Sequence, residues 1–362
     1  MLRIIISGGG TGGHIFPAVS IAGEIRRRMP DAELLFVGAQ GGMEMSVVPR
    51  NGYAIEGVWI SGIYRQLNLR NLGRNLLFPA KLAVSLMQAR RIVARFRPQA
   101  VVGVGGFASG PLGRVAAGQG IPLFLCEQNA FPGLVNRWLA PRATRILLGN
   151  ADALRYFDPA KCIVTGNPIR AFALPDRETA IRSLGLDPAK PVVLSLGGSL
   201  GARRLNDALE AEHAQLLDAG AQLIWQSGRI YHESLQARVP AREGLRLMPF
   251  IEDMAAAYGA ADLILSRAGG STISELIALS KPSILVPSPN VAEDHQTRNA
   301  LSLSEKGAAL LIRDAEAQTA LIPAALELLQ NPGKLDALRS AIASMEKHDA
   351  AAEIVDEILK HL

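Results

Sequence analysis

The chain has 362 residues, of which 49% are hydrophobic, 20% charged and 5% aromatic. It is too long for one ordinary core and too apolar to be disordered, so two domains of roughly 150 residues are expected. The net charge is +5, but residues 1–165 hold 19 basic and 8 acidic side chains while the remainder holds 19 and 25. Between Glu56 and Glu127 there are nine Lys or Arg and no acidic residue. Such a stretch suits a phosphate-rich or anionic-membrane partner.

Cysteine content and hydropathy exclude several classes of protein. Cys126 and Cys162 do not form a C-x-x-C pair and cannot build a disulfide scaffold, which favours a reducing compartment. The apolar start reaches glycines after six residues, unlike a secretory signal. The longest nearly uncharged stretch, residues 98–126, holds seven Gly and three Pro and makes a poor membrane span. We expect a soluble cytoplasmic protein that can still touch a membrane surface.

The first half of the chain alternates short apolar runs with amphipathic stretches. Residues 2–7 predict a strand, glycines follow, and the pattern of residues 17–29 predicts a helix. Strands are also predicted at residues 33–37, 100–104, 122–125 and 145–148. Because strands alternate with helices, the sequence predicts an α/β fold with parallel βαβ units and a doubly wound sheet.

The same pattern restarts in the second half after a polar segment. A strand is predicted at residues 191–196 and again meets a glycine loop, and more strands are predicted at 222–225, 245–248, 263–265 and 283–286. The sequence therefore predicts two similar α/β domains with a boundary near residue 166, where the charge also changes sign. Residues 349–362 predict a final amphipathic helix, and the pattern does not specify which domain it packs on.

A glycine loop, Gly-Gly-Gly-Thr-Gly-Gly-His at residues 8–14, separates the first strand from the first helix. Backbone N–H groups of such a loop suit an anion at the helix N-terminus. The loop also satisfies G-x-G-x-x-G, so a dinucleotide site is one alternative. That site requires an acidic residue at the end of the second strand, where the chain reads Phe-Val-Gly-Ala. A tight turn without ligand is the other alternative, although the glycines exceed what a turn needs.

Two further glycine loops follow predicted strands, at residues 103–111 and 197–203. The second offers Ser199 as a hydroxyl donor to phosphate. Neither this loop nor the one at residues 8–14 contains G-K-[ST], so ATP hydrolysis of the P-loop type is not expected. Three such loops suggest one large phosphate-bearing ligand or two ligands.

Residues 266–275 join a strand to a helix. Gly270, Ser271 and Thr272 offer N–H and hydroxyl donors to phosphate, and Glu275 in the first turn can accept hydrogen bonds from two ribose hydroxyls. The same residues fit a helix capping box, formed by Ser271 with Ser274 or by Thr272 with Glu275. The two interpretations are compatible.

Among the six histidines, His14 and His295 lie in glycine or polar loops. A lone loop histidine is more often a surface residue than a catalytic one, but His14 directly follows a phosphate-type loop. No His or Cys pair has the spacing of zinc ligands, and no D-x-D triplet follows a strand. We therefore expect no metal and no other cofactor.

Together these motifs resemble those of the MurG-type N-acetylglucosaminyltransferases of bacterial peptidoglycan synthesis. The resemblance implies a GT-B fold, in which two Rossmann-like domains with doubly wound parallel sheets are separated by a cleft. It assigns residues 1–165 to an acceptor- and membrane-facing domain and residues 166–345 to a domain that binds UDP-GlcNAc. A helix at about 346–362 would pack back on the first domain. The matching motifs lie, in order, at residues 9–14, 105–111, 127–129, 165–170, 197–202 and 266–275.

The resemblance also implies roles for single residues. In the donor site, Ser199 would meet the diphosphate, Ile251 the uracil through its backbone, Glu275 the ribose and Gln296 the GlcNAc hydroxyls. Arg170 and Asn129 would face the donor, and Thr11, Gly12 and Gly13 would close over it. Two positions depart from the family: Phe107 stands where some members have Tyr, and His295 precedes Gln296 where some have a Gln-Gln pair. Only the role of Gln296 is carried over from that pair.

The implied reaction is inverting transfer of GlcNAc from UDP-GlcNAc to the C4 hydroxyl of the MurNAc-pentapeptide of lipid I, which gives lipid II. It would take place at the cytoplasmic face of the plasma (inner) membrane. His14 is the predicted general base, because an ordinary imidazole pKa of about 6.5 suits that task near neutral pH. Glu127 is the second candidate. The alternatives are a GT-B relative with another reaction, such as a UDP-GlcNAc 2-epimerase or another glycolipid transferase, and a binding module, which would need no second glycine loop.

Apolar and basic residues interleave between positions 69 and 82. This pattern is typical of a segment at a membrane interface, and a core helix with solvated arginines is the alternative. The residues are Leu69, Leu72, Leu76, Leu77, Phe78 and Leu82 with Arg70, Arg74 and Lys81.

Overall fold

The computed structural model describes residues 1–62, 76–169, 173–198, 200–291 and 294–362. The chain forms two compact units. Unit 1 consists of Met1–Arg170 together with His348–Leu362, and unit 2 consists of Ala171–Lys347.

Unit 1 has a seven-stranded parallel sheet whose strands are β1 Arg3–Ser7, β2 Glu33–Ala39, β3 Ala54–Val58, β4 Ala100–Gly103, β5 Leu123–Glu127, β6 Arg145–Leu148 and β7 Cys162–Val164. Their order is β3-β2-β1-β4-β5-β6-β7. The five predicted strands are confirmed, and the two edge strands β3 and β7 are additional. Both have weak sequence patterns, because Glu and Gly interrupt β3 and β7 has only three, half-buried residues. The helices are α1 Gly12–Arg28, α2 Glu44–Arg50, α3 Phe78–Phe96, α4 Ser109–Gly118 and α5 Leu134–Leu139.

Unit 2 has a six-stranded parallel sheet whose strands are β8 Val192–Leu196, β9 Gln222–Gln226, β10 Leu245–Met248, β11 Leu263–Ser266, β12 Ser283–Leu285 and β13 Leu310–Leu311. Their order is β10-β9-β8-β11-β12-β13. The five predicted strands are confirmed, and the two-residue β13 is additional. The helices are α6 Arg177–Ser183, α7 Arg203–Asp218, α8 His232–Arg238, α9 Met254–Ala260, α10 Gly270–Leu279, α11 His295–Ser304, α12 Ala317–Gln330 and α13 Pro332–Ala343.

The predicted terminal helix is confirmed as α14, Ala350–Leu359, and belongs to unit 1. Its apolar side chains pack in one core cluster with those of α1. Arg28 pairs with Asp356, and Arg145 Nε donates to Glu357 Oε1 at 2.8 Å. Burial alone would raise the pKa of Glu357, but the bonds from Arg145 and Lys360 outweigh burial and lower it.

Each sheet reverses its strand order beside its first strand, between β1 and β4 in unit 1 and between β8 and β11 in unit 2. Ligands of doubly wound folds bind beyond the carboxyl ends of the strands at such a switch point. In both units the glycine loops predicted from the sequence lie there.

Candidate active site

The glycine loop after β1 uses several of its N–H groups internally. Gly8 N donates to Val37 O at 3.2 Å and Gly9 N to Gly105 O at 3.3 Å. Gly10 N donates to Glu44 Oε2 at 2.9 Å. The prediction that these N–H groups cradle an anion is therefore wrong for these three glycines. The start of α1 differs, because N–H groups in a first helical turn have no partner within the helix, and Thr11, Gly12 and Gly13 lie there.

His14 is the third residue of α1 and is half-buried. Its Nδ1 lies 3.0 Å from Gly9 O and 3.3 Å from Thr11 Oγ1. Because a carbonyl oxygen only accepts hydrogen bonds, Nδ1 carries the proton and the lone pair of a neutral ring lies on Nε2. Gly105 leaves room for the ring, since a Cβ at that position would come within 2.9 Å of Nε2. The arrangement fits a base that accepts a proton at Nε2.

Gln128 lies beside the same glycine and was not predicted as a site residue. It is buried, and its Nε2 donates to Val104 O at 3.1 Å. Its Oε1 has no hydrogen-bond partner among the described residues and lies 3.6 Å from the position that a Cβ on Gly105 would take. An acceptor oxygen therefore lies near His14. The only sequence signal was the position of Gln128 inside the Glu-Gln-Asn motif.

Glu127 is buried at the end of β5, and donors surround its carboxylate. Oε1 accepts from Asn129 N at 3.0 Å and from Asn129 Nδ2 at 3.3 Å. Oε2 accepts from Gly133 N and Asn136 Nδ2, both at 2.9 Å. This geometry ties Asn129 to Glu127 and makes Glu127 the organiser of the loop after β5. It disfavours Glu127 as a general base.

In unit 2 the glycine loop after β8 touches the loop after β9 backbone to backbone. A Cβ on Gly201 would lie 2.2 Å from Ser227 O, and a Cβ on Gly228 would lie 2.2 Å from Gly201 Cα. Asn206 on α7 supports the contact, because its Nδ2 donates to Ser227 O at 2.8 Å and its Oδ1 accepts from Trp225 Nε1 at 2.9 Å. The sequence did not reveal this support. Ser199, predicted to meet the diphosphate, lies outside the described residues.

The predicted capping boxes at α10 are wrong. The N-cap is Gly269, which has no side chain to cap the helix, and neither Ser271 nor Thr272 takes the N-cap position. Ser274 Oγ donates to Gly270 O at 3.2 Å instead, and Glu275 falls in the second turn and not the first. The first turn keeps Gly270, Ser271 and Thr272 as predicted donors. The buried Ser271 Oγ has no hydrogen-bond partner among the described residues.

Glu275 is held by a tyrosine that the sequence did not reveal. Tyr258 on α9 is fully buried, and its hydroxyl donates to Glu275 Oε2 at 2.5 Å. Burial and the Glu275 carboxylate raise the pKa of Tyr258 well above its ordinary value. The phenol therefore stays protonated and fixes one carboxylate oxygen.

Two other predicted donor contacts, Ile251 and Gln296, lie in unit 2. The side chain of Ile251 is buried in the core, while its backbone N–H and C=O have no hydrogen-bond partner among the described residues. Gln296 Oε1 accepts from Ser288 N at 2.9 Å, which fixes the side-chain amide. Arg170 lies outside the described residues.

Comparisons with known proteins identify the family. Residues 4–148 match the glycosyltransferase family 28 N-terminal domain, and residues 192–354 match the C-terminal domain of that family. A Bacteroides fragilis protein named UDP-N-acetylglucosamine–N-acetylmuramyl-(pentapeptide) pyrophosphoryl-undecaprenol N-acetylglucosamine transferase is 50% identical, over 99% of this chain and 95% of its own. The transferase of the same name from Phocaeicola vulgatus is 50% identical over 99% and 96%. The chain belongs to the MurG family.

Solved structures agree with membership of the MurG family. The crystal structure of Acinetobacter baumannii MurG matches with a TM-score of 0.77 and 29% identity, over 99% of this chain and all of the other. The GT-B fold and a glycosyltransferase activity follow, and the resemblance seen in the motifs is confirmed. A Listeria monocytogenes protein described as a UDP-N-acetylglucosamine 2-epimerase matches with a TM-score of 0.67 at 17% identity, which shows a shared fold alone.

Proposed function

We propose that this chain transfers GlcNAc from UDP-GlcNAc to the C4 hydroxyl of the MurNAc-pentapeptide of lipid I and so forms lipid II in peptidoglycan synthesis. The observation that carries this assignment is the 50% sequence identity to the named transferases over nearly the whole of both chains. Neither a 2-epimerase nor a binding module has comparable support.

In the proposed mechanism, His14 of unit 1 activates the acceptor. Nε2 takes the proton of the C4 hydroxyl as that oxygen bonds to the anomeric carbon, and the bond from that carbon to UDP breaks on the opposite face. The configuration inverts. The bond from Nδ1 to Gly9 O keeps Nε2 in the proton-accepting form.

Unit 2 holds the donor in this proposal. N–H groups of the first turn of α10, with the Ser271 and Thr272 hydroxyls, stabilise the leaving diphosphate, and each such donor is worth about 3 kcal/mol in well-organised sites. The family motifs also assign Ser199 of unit 2 and Arg170 of unit 1 to the donor. Glu275 binds the ribose, Ile251 the uracil and Gln296 the GlcNAc hydroxyls.

The acceptor carries a long lipid, and we assign unit 1 to an anionic membrane surface as a peripheral protein. Large apolar side chains just before α3, on α3 and α5, and in the loop before α4 are more than one-third exposed: Leu76, Leu77, Met87, Phe107, Leu134 and Trp138. The buried side of α3 begins only at Ser85, so the first turns of α3 fit an interfacial segment better than a core helix.

Leu69, Leu72, Arg70 and Arg74 lie outside the described residues. Within the described ranges, every helix is too short or too polar to cross a bilayer.

The test of the proposed function is incubation with UDP-[14C]GlcNAc and a short-chain lipid I analogue. Label entering a lipid II product is the expected result. Release of UDP without lipid labelling, or conversion of the sugar to its 2-epimer, would contradict the proposal.

A further inference from the structure

A buried carboxylate lies beneath the glycine loop of unit 1 and has no role in the mechanism above. Glu44, the first residue of α2, is 1% exposed. Its Oε1 accepts from Ala39 N and its Oε2 from Gly10 N, both at 2.9 Å. A Cβ on Gly9, Gly38 or Gly42 would come within 2.5 Å of the Glu44 side chain. The carboxylate therefore occupies a cradle that only glycines allow.

Glu44 and His14 bind the two ends of one peptide unit. The unit between residues 9 and 10 contains the Gly9 carbonyl and the Gly10 N–H. The carbonyl accepts from His14 Nδ1 at 3.0 Å, and the N–H donates to Glu44 Oε2 at 2.9 Å. Gly10 has φ +87°, a conformation that favours glycine. The chain of bonds runs from carboxylate to amide to imidazole.

We propose that Glu44 is a positioning residue for His14 and acts through this peptide unit. The inference rests on the proposed role of His14 as the base. A carboxylate that accepts from an amide N–H makes the carbonyl of the same amide a stronger acceptor, because bonds in a chain polarise one another. The stronger acceptor holds the proton on Nδ1 and stabilises the imidazolium that forms when Nε2 takes a proton. This is the task of the carboxylate that binds histidine directly in catalytic triads.

Other charged groups on the packed elements are poorly placed for this task. The Glu127 carboxylate is bound by donors of its own loop. The loop after β4 has no charged residue before Arg114. On α1, the nearest charged residue is Glu24, ten residues from His14 and about 15 Å away along the axis, where it pairs with Arg27 and Arg28.

The test compares histidine titrations by NMR in the full chain and in Glu44→Gln, with His14 assigned from His14→Gln. In Glu44→Gln the His14 titration midpoint is expected to fall by about half to one pH unit, and the Nδ1–H tautomer to lose population. The acid limb of the pH profile of kcat should shift to lower pH together with the His14 midpoint, while KM for UDP-GlcNAc stays unchanged. A midpoint and tautomer equal to those of the unmodified chain would overturn the proposal. Glu357→Gln, which removes another buried carboxylate of unit 1, is the matched control and should leave the His14 titration unchanged.

A second measurement needs no change at Glu44, in case Glu44→Gln does not fold. In the unmodified chain the Gly10 amide resonance should titrate with the midpoint of His14, and His14→Gln should abolish that titration. A Gly10 amide resonance that does not shift as His14 titrates would contradict the link between Glu44 and His14. Neither NMR measurement requires turnover, so failure of lipid labelling alone would count against the proposed function and not against the Glu44–His14 link.

Discussion

At position 127, two interpretations of one carboxylate predict different behaviour. If Glu127 were the general base, Glu127→Gln would abolish turnover and leave the free energy of unfolding unchanged. As the organiser of its loop, it accepts four hydrogen bonds that an amide cannot all accept. Each donor left buried without a partner costs about 1–3 kcal/mol. We therefore expect Glu127→Gln to lower the free energy of unfolding by at least about 2 kcal/mol in urea titrations. Unchanged stability with lost turnover would restore Glu127 as a candidate base.

Single residues were predictable where a local motif marked them. His14 and Glu275 fall within motifs, and the structure gives each a hydrogen-bonded setting. Glu44 and Tyr258 did not stand out, because each acts on a residue distant in sequence. A dinucleotide site requires an acidic residue at the end of the second strand, and the sequence has none there. Glu44 lies five residues beyond that end and folds back onto Ala39, a contact that spacing alone does not reveal.

At the scale of elements, periodicity predicted ten strands and the terminal helix, all confirmed. The strands it missed lie at sheet edges, where burial is incomplete and the apolar pattern is weak. The capping boxes at α10 failed for another reason. Gly269 adopts the extended N-cap conformation without a side chain, so Ser271 and Thr272 lie inside the helix. Local pattern alone could not separate a capping hydroxyl from one inside the first turn.

The contact between the loops after β8 and β9 makes a prediction at the same scale. Gly201 and Gly220 have nearly equal φ, +86° and +84°, but only Gly201 has backbone atoms where a Cβ would go. Gly220→Ala should cost about 1–2 kcal/mol of unfolding free energy from strain alone and leave the Kd of UDP-GlcNAc unchanged. Gly201→Ala should cost more and raise that Kd at least tenfold, measured by calorimetry. Equal effects of the two substitutions would show that the loop contact does not shape the donor site.

For the whole molecule, the net charge of +5 hides a division between the units. Unit 1 has 21 basic and 12 acidic residues, or +9, and unit 2 has 17 and 21, or −4. The excess of positive charge therefore lies on the unit with the exposed apolar side chains at the start of α3 and on α5. Composition by segment predicted this division, whereas the positions of Leu76 and Trp138 on the surface required the fold.

Charge reversal tests the membrane assignment. Each cation near an anionic leaflet adds about 1 kcal/mol. Replacing Arg70, Arg74 and Lys81 by Glu should therefore lower the affinity for anionic vesicles, measured by sedimentation, by at least about a hundredfold. The matched control places the same three charge changes in unit 2, at Arg182, Lys306 and Arg313, which are exposed there. The control should bind vesicles as the unmodified chain does. Equal vesicle binding by both variants would contradict the assignment of unit 1 to the membrane.

The most direct test of the proposed mechanism is the turnover of His14→Ala at saturating lipid I analogue, with donor affinity measured on the same preparation. In that mechanism His14 takes the proton and unit 2 binds the donor. We therefore expect kcat to fall by about 10²- to 10⁴-fold while the Kd of UDP-GlcNAc stays nearly unchanged. Turnover like that of the unmodified chain would contradict the proposed mechanism.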